Sequence, residues 1–219
     1  MKINYDLKYS QIIKKLTKKP TLLLHSCCGP CSSASMEKLC QHFNVTVVYY
    51  NPNIYPEEEY QKRLTAQKQI CEKFNIELDE LEYNEAEFLS KVKGLEAKKE
   101  GEERCTVCFA LRLEKVASLA KQKGYDYFGT TLTISPHKNE QIINELGEAL
   151  GEKYEVKFLP CDLKKHDGFK RSIQLSKQFN LYRQNYCGCR FSLDNTKVEE
   201  QIWAIQFMLK NLKRKLHYG

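Results

Sequence analysis

Short apolar runs and segments with helical spacing alternate along the chain as far as about residue 160. The runs are rich in aliphatic, β-branched and aromatic residues, as is typical of strands, and lie at Thr21–His25, Val45–Tyr50, Ile76–Tyr83, Tyr125–Leu132 and Tyr154–Leu159. Apolar positions three and four residues apart predict helices between them, at Ser32–Phe43, Pro56–Phe74, about Cys108–Lys123 and Asn139–Leu150. This alternation predicts an α/β fold, a Rossmann-like parallel sheet flanked by helices on both faces.

The last quarter of the chain has a different pattern. From about Asp162 the sequence becomes helical and basic, and Val198–Leu216 places its apolar residues on one helical face. The sequence therefore predicts an α/β sheet domain over residues 1–161. A basic helical extension over residues 162–219 is expected to pack on that domain.

Cysteine is the residue type that changes this picture most. The chain has 219 residues and ten cysteines, and three short runs contain most of the latter: Cys27-Cys28-Gly29-Pro30-Cys31, Cys105-Thr106-Val107-Cys108 and Cys187-Gly188-Cys189. The first run follows the first predicted strand and opens a helix, and the second run opens another helix. Ligands of parallel α/β sheets bind beyond the carboxyl ends of the strands, so we expect both runs at one crevice.

The amino-terminal segment, MKINYDLKYSQIIKKLTKKP, has no apolar core typical of a secretory signal, and no stretch is long and apolar enough to span a bilayer. We therefore expect a cytoplasmic protein with no membrane partner. Clustered thiols stay reduced in that compartment and indicate metal ligands or catalytic redox groups.

Three chemistries fit these thiols when the residues are considered alone. Cys28-Gly29-Pro30-Cys31 has the form of a thioredoxin active site, in which a helix amino terminus lowers a thiol pKa. Two Cys-x-x-Cys pairs can instead hold zinc or an iron–sulfur cluster, and their spacing does not decide between these metals. The Cys187-Gly188-Cys189 run supplies either further ligands or a strained, readily reduced disulfide.

Net charge favours a polyanionic partner. The formal charge is +7, and basic residues concentrate near Lys14–Lys19, Lys164–His166 and Lys210–Lys215. Charge and aromatic surface combine in a further group that suits an anticodon loop with splayed bases, namely Arg171, Tyr182, Arg183 and Arg190.

Other residues invite individual roles. The hydroxyl-rich segment Thr130–Asn139 suits the wall of a substrate crevice or an ordinary turn and helix cap. His25 suits a proton donor or a hydrogen-bonded structural histidine. Isolated cysteines in apolar patterns are expected to be buried small hydrophobes, namely Cys40, Cys71 and Cys161.

Four segments, in order along the chain, carry a family resemblance: LLLHSCCGPCSS, RCTVCFALRLEKVA, TTLTISPHKN and PCDLKKHDGFKRSIQLSKQFNLYRQNYCGCRFS. Together they resemble the QueH-type epoxyqueuosine reductases from about Leu22 to Ser192. The combination of CC-x-x-C, R-C-x-x-C and YRQ-x-YCGC is highly specific. This resemblance implies reduction of epoxyqueuosine to queuosine at the wobble position of tRNA.

The resemblance also implies the site. A 4Fe-4S cluster is expected on Cys27, Cys28, Cys105 and Cys108, while Cys187 and Cys189 match a redox-active pair. An additional mononuclear iron is expected beside the cluster, and Cys31 with a nearby carboxylate is a chemically reasonable ligand set for it. An unidentified electron donor completes the expected partners.

A looser resemblance, to PP-loop (HUP-like) nucleotide-binding enzymes, comes from the first strand, loop and helix followed by VTVVYYNPNIYPEEEYQKR. The SGGxDS loop of that family is missing. Pro30 removes one N–H donor from the corresponding loop and thiols fill it, so phosphate binding there is not expected. ATP-dependent, iron–sulfur tRNA thiolation is nevertheless an alternative function, as is thioredoxin-like thiol oxidoreduction.

Overall fold

The computed structural model describes residues 2–193, which contain one five-stranded sheet. Its strands are Thr21–Ser26 (β1), Asn44–Tyr49 (β2), Leu78–Glu80 (β3), Tyr127–Thr130 (β4) and Lys157–Phe158 (β5). The strand order is β3-β2-β1-β4-β5, and every neighbouring pair is parallel. The predicted parallel α/β sheet is confirmed.

Helices cover both faces of this sheet. They are Tyr5–Ile13 (α1), Gly29–Leu39 (α2), Glu57–Phe74 (α3), Glu85–Lys91 (α4), Glu103–Lys123 (α5), Glu140–Tyr154 (α6) and Gly168–Gln178 (α7), with a 3-10 turn at Leu132–Ile134. Leu22 and Leu24 of β1 share one apolar core with residues of α2, α3 and α7. Leu23, on the opposite face, shares a second core with residues of α5 and α6. A central strand buried on both faces explains the continuous apolar run TLLLH.

Close packing of α2 against α3 fixes the loop that carries the first cysteine run. α2 begins at Gly29 after an extended Cys28 and has Pro30 in its first turn, where the missing N–H costs nothing. A Cβ on Gly29 would lie 2.4 Å from the carbonyl oxygen of Ala66 in α3. Only glycine therefore permits this approach of the two helices.

Several helices and strands begin or end at residues other than those predicted. The helix expected from about Cys108 begins at Glu103, which places Cys105 and Cys108 one turn apart on α5. The edge strands β3 and β5 are shorter than their apolar runs, because each has a single neighbour in the sheet. Neither α1 nor α4 was predicted, although α1 does place Tyr5, Tyr9, Ile12 and Ile13 at helical spacing, whereas α4 has only seven residues.

The predicted carboxy-terminal extension is described in part. α7 packs on the sheet domain through Leu175, which belongs to the same core as Leu22. The helix predicted at Val198–Leu216 and the basic cluster at Lys210–Lys215 lie outside the described residues. The division at residue 161 stays a prediction. Within residues 2–193, no helix is both long and apolar enough to cross a membrane.

Candidate metal centre

A cavity opens where the two central strands end. β1 and β4 are neighbours, and the chain leaves them toward helices on opposite faces, so their carboxyl ends form the crevice expected of this topology. The cavity measures about 580 Å³ and its lining includes Cys27, Cys31, Arg112, Lys138, Gln184 and Cys187. Cysteines of the first and third motifs therefore line this cavity, whereas Cys105 and Cys108 of the second motif are not among its lining residues.

The first motif forms a compact sulfur group. The Sγ atoms of Cys27, Cys28 and Cys31 all lie within 4.8 Å of one another, and those of Cys27 and Cys28 are 3.8 Å apart. Hydrogen bonding with Cys28 and Cys31 lowers the pKa of Cys27, whereas hydrogen bonding with Cys27 raises the pKa of Cys28 to about 12. Cys27 is therefore the first thiol of the group to lose its proton.

The second motif reaches the same cavity through Arg112. Arg112 Nη2 donates a hydrogen bond to Cys108 Sγ at 3.3 Å, and its Nε donates to the carbonyl oxygen of Cys108 at 3.0 Å. Cys105 Sγ accepts a hydrogen bond from the Gly101 N–H at 3.2 Å. Burial raises the pKa of Cys108 to about 11, although the charge of Arg112 acts in the opposite direction. Cys105 packs against the apolar cluster that contains Cys27 and Cys28.

The two cysteines of the third motif have different environments. Cys187 is half-buried and lines the cavity, whereas Cys189 is buried and packs in an apolar cluster with Cys108. Both are free thiols. Burial raises the pKa of Cys189 to about 12, so this residue is protonated at neutral pH. Gly188 between them has φ +129°, a conformation that favours glycine.

A buried ion pair holds the third motif in place. Arg63 is 1% exposed, and its Nε donates to Glu59 Oε1 at 2.7 Å across one turn of α3. Its Nη1 donates to the carbonyl oxygen of Cys187 at 3.0 Å and its Nη2 to that of Tyr186 at 3.2 Å. Sequence reasoning missed Arg63, and the available signal was the four-residue spacing from Glu59 in EEEYQKR.

Two cations at the cavity lack carboxylate partners within residues 2–193. These are Arg112, which is 3% exposed, and the half-buried Lys138. Burial acts to lower the pKa of Lys138, but the negative charges of Cys187, Cys27 and Cys31 raise it above its ordinary value. Because a buried charge without a counter-ion is costly, Arg112 in particular favours ionised sulfur nearby.

His25 is a neutral structural histidine. It is fully buried, and its Nε2 donates to the carbonyl oxygen of Tyr50 at 3.1 Å. Its Nδ1 accepts from Thr130 Oγ1 at 3.0 Å, and that hydroxyl oxygen in turn accepts from the Leu132 N–H. Burial, followed by the charge of Arg112, lowers the pKa of His25 to about 4. This network favours the structural role over proton donation.

The structure separates the residues predicted to contact RNA. Arg171 forms a bidentate ion pair with Glu37, at 2.6 and 2.7 Å, and Arg190 forms one with Glu85. Tyr182 donates its hydroxyl to Glu59 at 2.6 Å. Arg183 differs from them, because it is exposed, lines the cavity and donates to Ser176 Oγ at 3.1 Å.

The isolated cysteines lie away from the cavity. Cys71 and Cys161 are buried in the core beneath α2 and α7, and the half-buried Cys40 packs against the same core. Cys71 Sγ accepts a hydrogen bond from Gln67 Nε2 at 3.1 Å. The prediction of burial is confirmed for Cys71 and Cys161, whereas Cys40 is only half-buried.

Comparison with known proteins places these motifs in a family. The family model for Epoxyqueuosine reductase QueH matches residues 22–195. Epoxyqueuosine reductase QueH from Staphylococcus epidermidis is 45% identical over 202 residues, covering 87% of this chain and 85% of the relative. The protein of that name from Streptococcus pyogenes is 42% identical over 200 residues, covering 87% and 78%.

A solved structure of a predicted subunit of tRNA methyltransferase from Methanocaldococcus jannaschii shows a weaker likeness. It is 13% identical, with a TM-score of 0.49, and the match covers 71% of this chain and 74% of that chain. At that TM-score the likeness carries no argument about fold or function. The sequence matches identify the family, because they extend over most of the chain and include all three cysteine motifs. This chain therefore belongs to the epoxyqueuosine reductase QueH family.

Proposed function

We propose that this enzyme reduces epoxyqueuosine to queuosine at the wobble position of tRNA in the cytoplasm. The epoxide accepts two electrons and two protons, both C–O bonds break, a carbon–carbon double bond forms, and the oxygen leaves as water. The observation that carries the proposal is a cavity lined by thiols of the first and third motifs, Cys27, Cys31 and Cys187, together with Lys138 and Arg112, the latter bonded to Cys108 of the second motif. Membership of the family supports epoxyqueuosine as the substrate.

The residues at the cavity fit an iron–sulfur centre. A 4Fe-4S cluster held by Cys27, Cys28, Cys105 and Cys108 would supply single electrons, and an additional iron with Cys31 among its ligands would supply a Lewis acid. Thiolate ligands bring several negative charges into a partly buried site. Arg112 and Lys138 offset part of that negative charge. In return, the thiolates neutralise these two cations, which have no carboxylate partner in residues 2–193.

Cys187 and Cys189 fit the role of a reductant relay. Oxidation of two thiols to one disulfide releases two electrons and two protons, which are the quantities that deoxygenation consumes. Cys187 lines the cavity and is the more accessible member of the pair. In the oxidised pair, an unidentified electron donor would therefore meet the Cys187 sulfur first.

Lys138 is placed to stabilise the epoxide oxygen as it leaves. Neighbouring sulfur charges keep its Nζ protonated at the cavity wall. An ammonium in a partly enclosed site stabilises negative charge that develops on an oxygen atom more strongly than it does in water. We assign Lys138 the task of hydrogen bonding to the epoxide oxygen as its bonds to carbon break.

Arg183 is the residue that we expect to contact the tRNA backbone. Its charge has no carboxylate partner in the described part of the chain, unlike that of Arg171 or Arg190. Its guanidinium lies 6.0 Å from the ring centre of Phe169, and both residues line the cavity. A phosphate of the anticodon loop would supply the missing negative charge.

Nucleoside mass spectrometry tests this function. Epoxyqueuosine-containing tRNA is incubated anaerobically with dithionite and either cluster-loaded or metal-free protein, with and without ATP. We expect queuosine with the loaded protein alone, irrespective of ATP. A thiolated nucleoside that forms only with ATP would instead support the alternative of tRNA thiolation. Unchanged epoxyqueuosine with a verified cluster and a competent reductant would refute the proposal.

A further inference from the structure

We propose that Gln184 and Arg112 raise the reduction potential of the metal centre by donating hydrogen bonds to the sulfur atoms of two of its ligands. This inference rests on the proposed function and on the ligand roles of Cys28 and Cys108. It gives a task to Gln184, the glutamine of the YRQ segment, which the sequence alone does not explain.

Gln184 lies against the first cysteine motif. Its Nε2 donates to Cys28 Sγ at 3.1 Å, and the residue lines the cavity. Its Oε1 is enclosed and has no hydrogen-bond partner in the described part of the chain. A thiolate sulfur is an acceptor and repels a carbonyl oxygen, so the amide orientation with the nitrogen toward Cys28 is the one that a metal-bound thiolate requires.

Arg112 makes the matching contact with the second motif. Its Nη2 donates to Cys108 Sγ at 3.3 Å, while its Nε donates to the carbonyl oxygen of the same residue at 3.0 Å. Two bonds from one planar guanidinium to one residue fix the group's orientation. The side chain is 3% exposed, and it forms no ion pair with a carboxylate of residues 2–193. Its positive charge is therefore directed at the sulfur.

Donors of this kind favour the reduced centre. Reduction adds an electron, and part of the added negative charge resides on the ligand sulfur atoms. A hydrogen bond to such an atom stabilises that charge, and a charged donor does so more strongly than a neutral one. Loss of either side chain should therefore move the midpoint potential to a more negative value.

The sulfur atoms of the cysteine motifs differ in the donors that they contact. Cys105 Sγ also accepts an N–H bond, but from the backbone of Gly101 at 3.2 Å, which substitution leaves in place. Cys27 Sγ lies 3.9 Å from Thr131 Oγ1, a longer contact in which either atom can donate. Gln184 and Arg112 are thus the side-chain N–H donors to expected ligand sulfurs in residues 2–193, and their removal can be measured.

The test is an anaerobic spectroelectrochemical titration of cluster-loaded protein. Gln184→Leu removes the donor to Cys28, and Arg112→Gln removes the cation at Cys108. Asn185→Leu is the matched control, because Asn185 is a neighbouring cavity amide with no hydrogen bond to a sulfur in the described structure. We expect parent-level iron and sulfide in all three variants. The midpoint potential should fall in the first two and remain at the parent value in Asn185→Leu.

Two conservative variants keep the inference testable where packing is lost. Gln184→Asn retains the amide but shortens it by one methylene, and Arg112→Lys retains the charge without the two-bond geometry. Each should lower the potential by less than the corresponding larger change. Unchanged potentials in Gln184→Leu and Arg112→Gln, or in these conservative variants where the larger changes lose the cluster, would overturn the inference.

The two proposals fail in different ways. A parent protein that assembles no cluster refutes both of them. A parent that assembles a cluster and forms queuosine, combined with variants of unchanged potential, refutes the tuning role alone. If the variants have lowered potentials but the cluster-loaded parent forms no queuosine, the tuning role is supported and the reaction is rejected.

Discussion

Two sets of cysteines in this molecule differ in their neighbours rather than in their burial. Cys28 and Cys108, in the motifs around the cavity, are as enclosed as Cys71 and Cys161 in the core, and burial contributes to a raised pKa in all four. Cys28 accepts a hydrogen bond from Gln184, and Cys108 accepts one from Arg112, a cation without a carboxylate partner in residues 2–193. Cys71 and Cys161 also have polar contacts, but these are to the neutral side chains of Gln67 and Thr133. Burial alone therefore does not distinguish the cysteines that we expect to bind metal from core cysteines, whereas a charged donor without a carboxylate partner, as at Cys108, does separate them in this structure.

The largest effect should come from breaking the cavity set. We expect Cys108→Ser to lose most of its bound iron and sulfide after anaerobic reconstitution, because a hydroxyl is a far weaker iron ligand than a thiolate. Cys71→Ser is the matched control and should retain the metal at a moderate cost in stability. Colorimetric iron and sulfide analysis provides the measurement, and full iron retention by Cys108→Ser would contradict the ligand assignment.

The third motif should separate electron supply from metal binding. Cys189→Ser is expected to abolish turnover with a thiol or enzymatic reductant while the visible spectrum of the cluster stays intact, since one thiol cannot form the intramolecular disulfide. Turnover is followed by nucleoside mass spectrometry and the cluster by absorbance. Loss of the cluster in this variant would show that Cys189 is a ligand and not a redox partner.

The burial that keeps core thiols protonated also keeps His25 neutral, and this can be measured in the metal-free protein. The pKa of His25 falls from 6.5 to about 4 on folding, which at about 1.4 kcal/mol per pKa unit corresponds to about 3 kcal/mol. The unfolded chain binds the extra proton, so this contribution is present above pH 6.5 and is lost as the pH falls toward 4. Between pH 6.5 and 4, urea unfolding should show a smaller loss of the free energy of unfolding for His25→Asn than for the parent. Equal losses would contradict the burial argument.

The smallest expected effect concerns tRNA affinity. Arg183→Gln should weaken tRNA binding and reduce the slope of log affinity against log salt by about 1, as is typical of one lost phosphate contact. Arg171→Gln is the control, because Glu37 already neutralises that arginine. Filter binding over a salt series compares the two variants. Equal effects, or none for Arg183→Gln, would reject Arg183 as a backbone contact.

The sequence predicts those parts of the molecule that depend on local periodicity. The central strands, the helices around them and the placement of the first cysteine run after β1 follow from apolar spacing. The edge strands were predicted too long, because strand length there depends on a partner and not on hydrophobicity. α4 was missed because a seven-residue helix has too few turns to show a period.

The site was predictable as a set of motifs but not as a charge arrangement. Cysteine spacing indicates metal or redox chemistry, and the resemblance supplied the ligand and redox roles. The contact of Gln184 with Cys28 joins residues 156 positions apart, and that of Arg63 with Cys187 joins residues 124 positions apart. Such contacts depend on how the elements pack, so no local pattern reveals them.

The most direct test of the central claim compares the two cysteine sets in the reaction itself. Parent protein, Cys108→Ser and Cys71→Ser are each treated for cluster assembly and incubated anaerobically with dithionite and epoxyqueuosine-containing tRNA, and the nucleosides are then analysed by mass spectrometry. We expect queuosine from the parent and from Cys71→Ser, and unchanged epoxyqueuosine from Cys108→Ser. Queuosine from Cys108→Ser at the parent level would contradict the role of Cys108 in the metal centre, and none from a cluster-loaded parent would contradict the reaction.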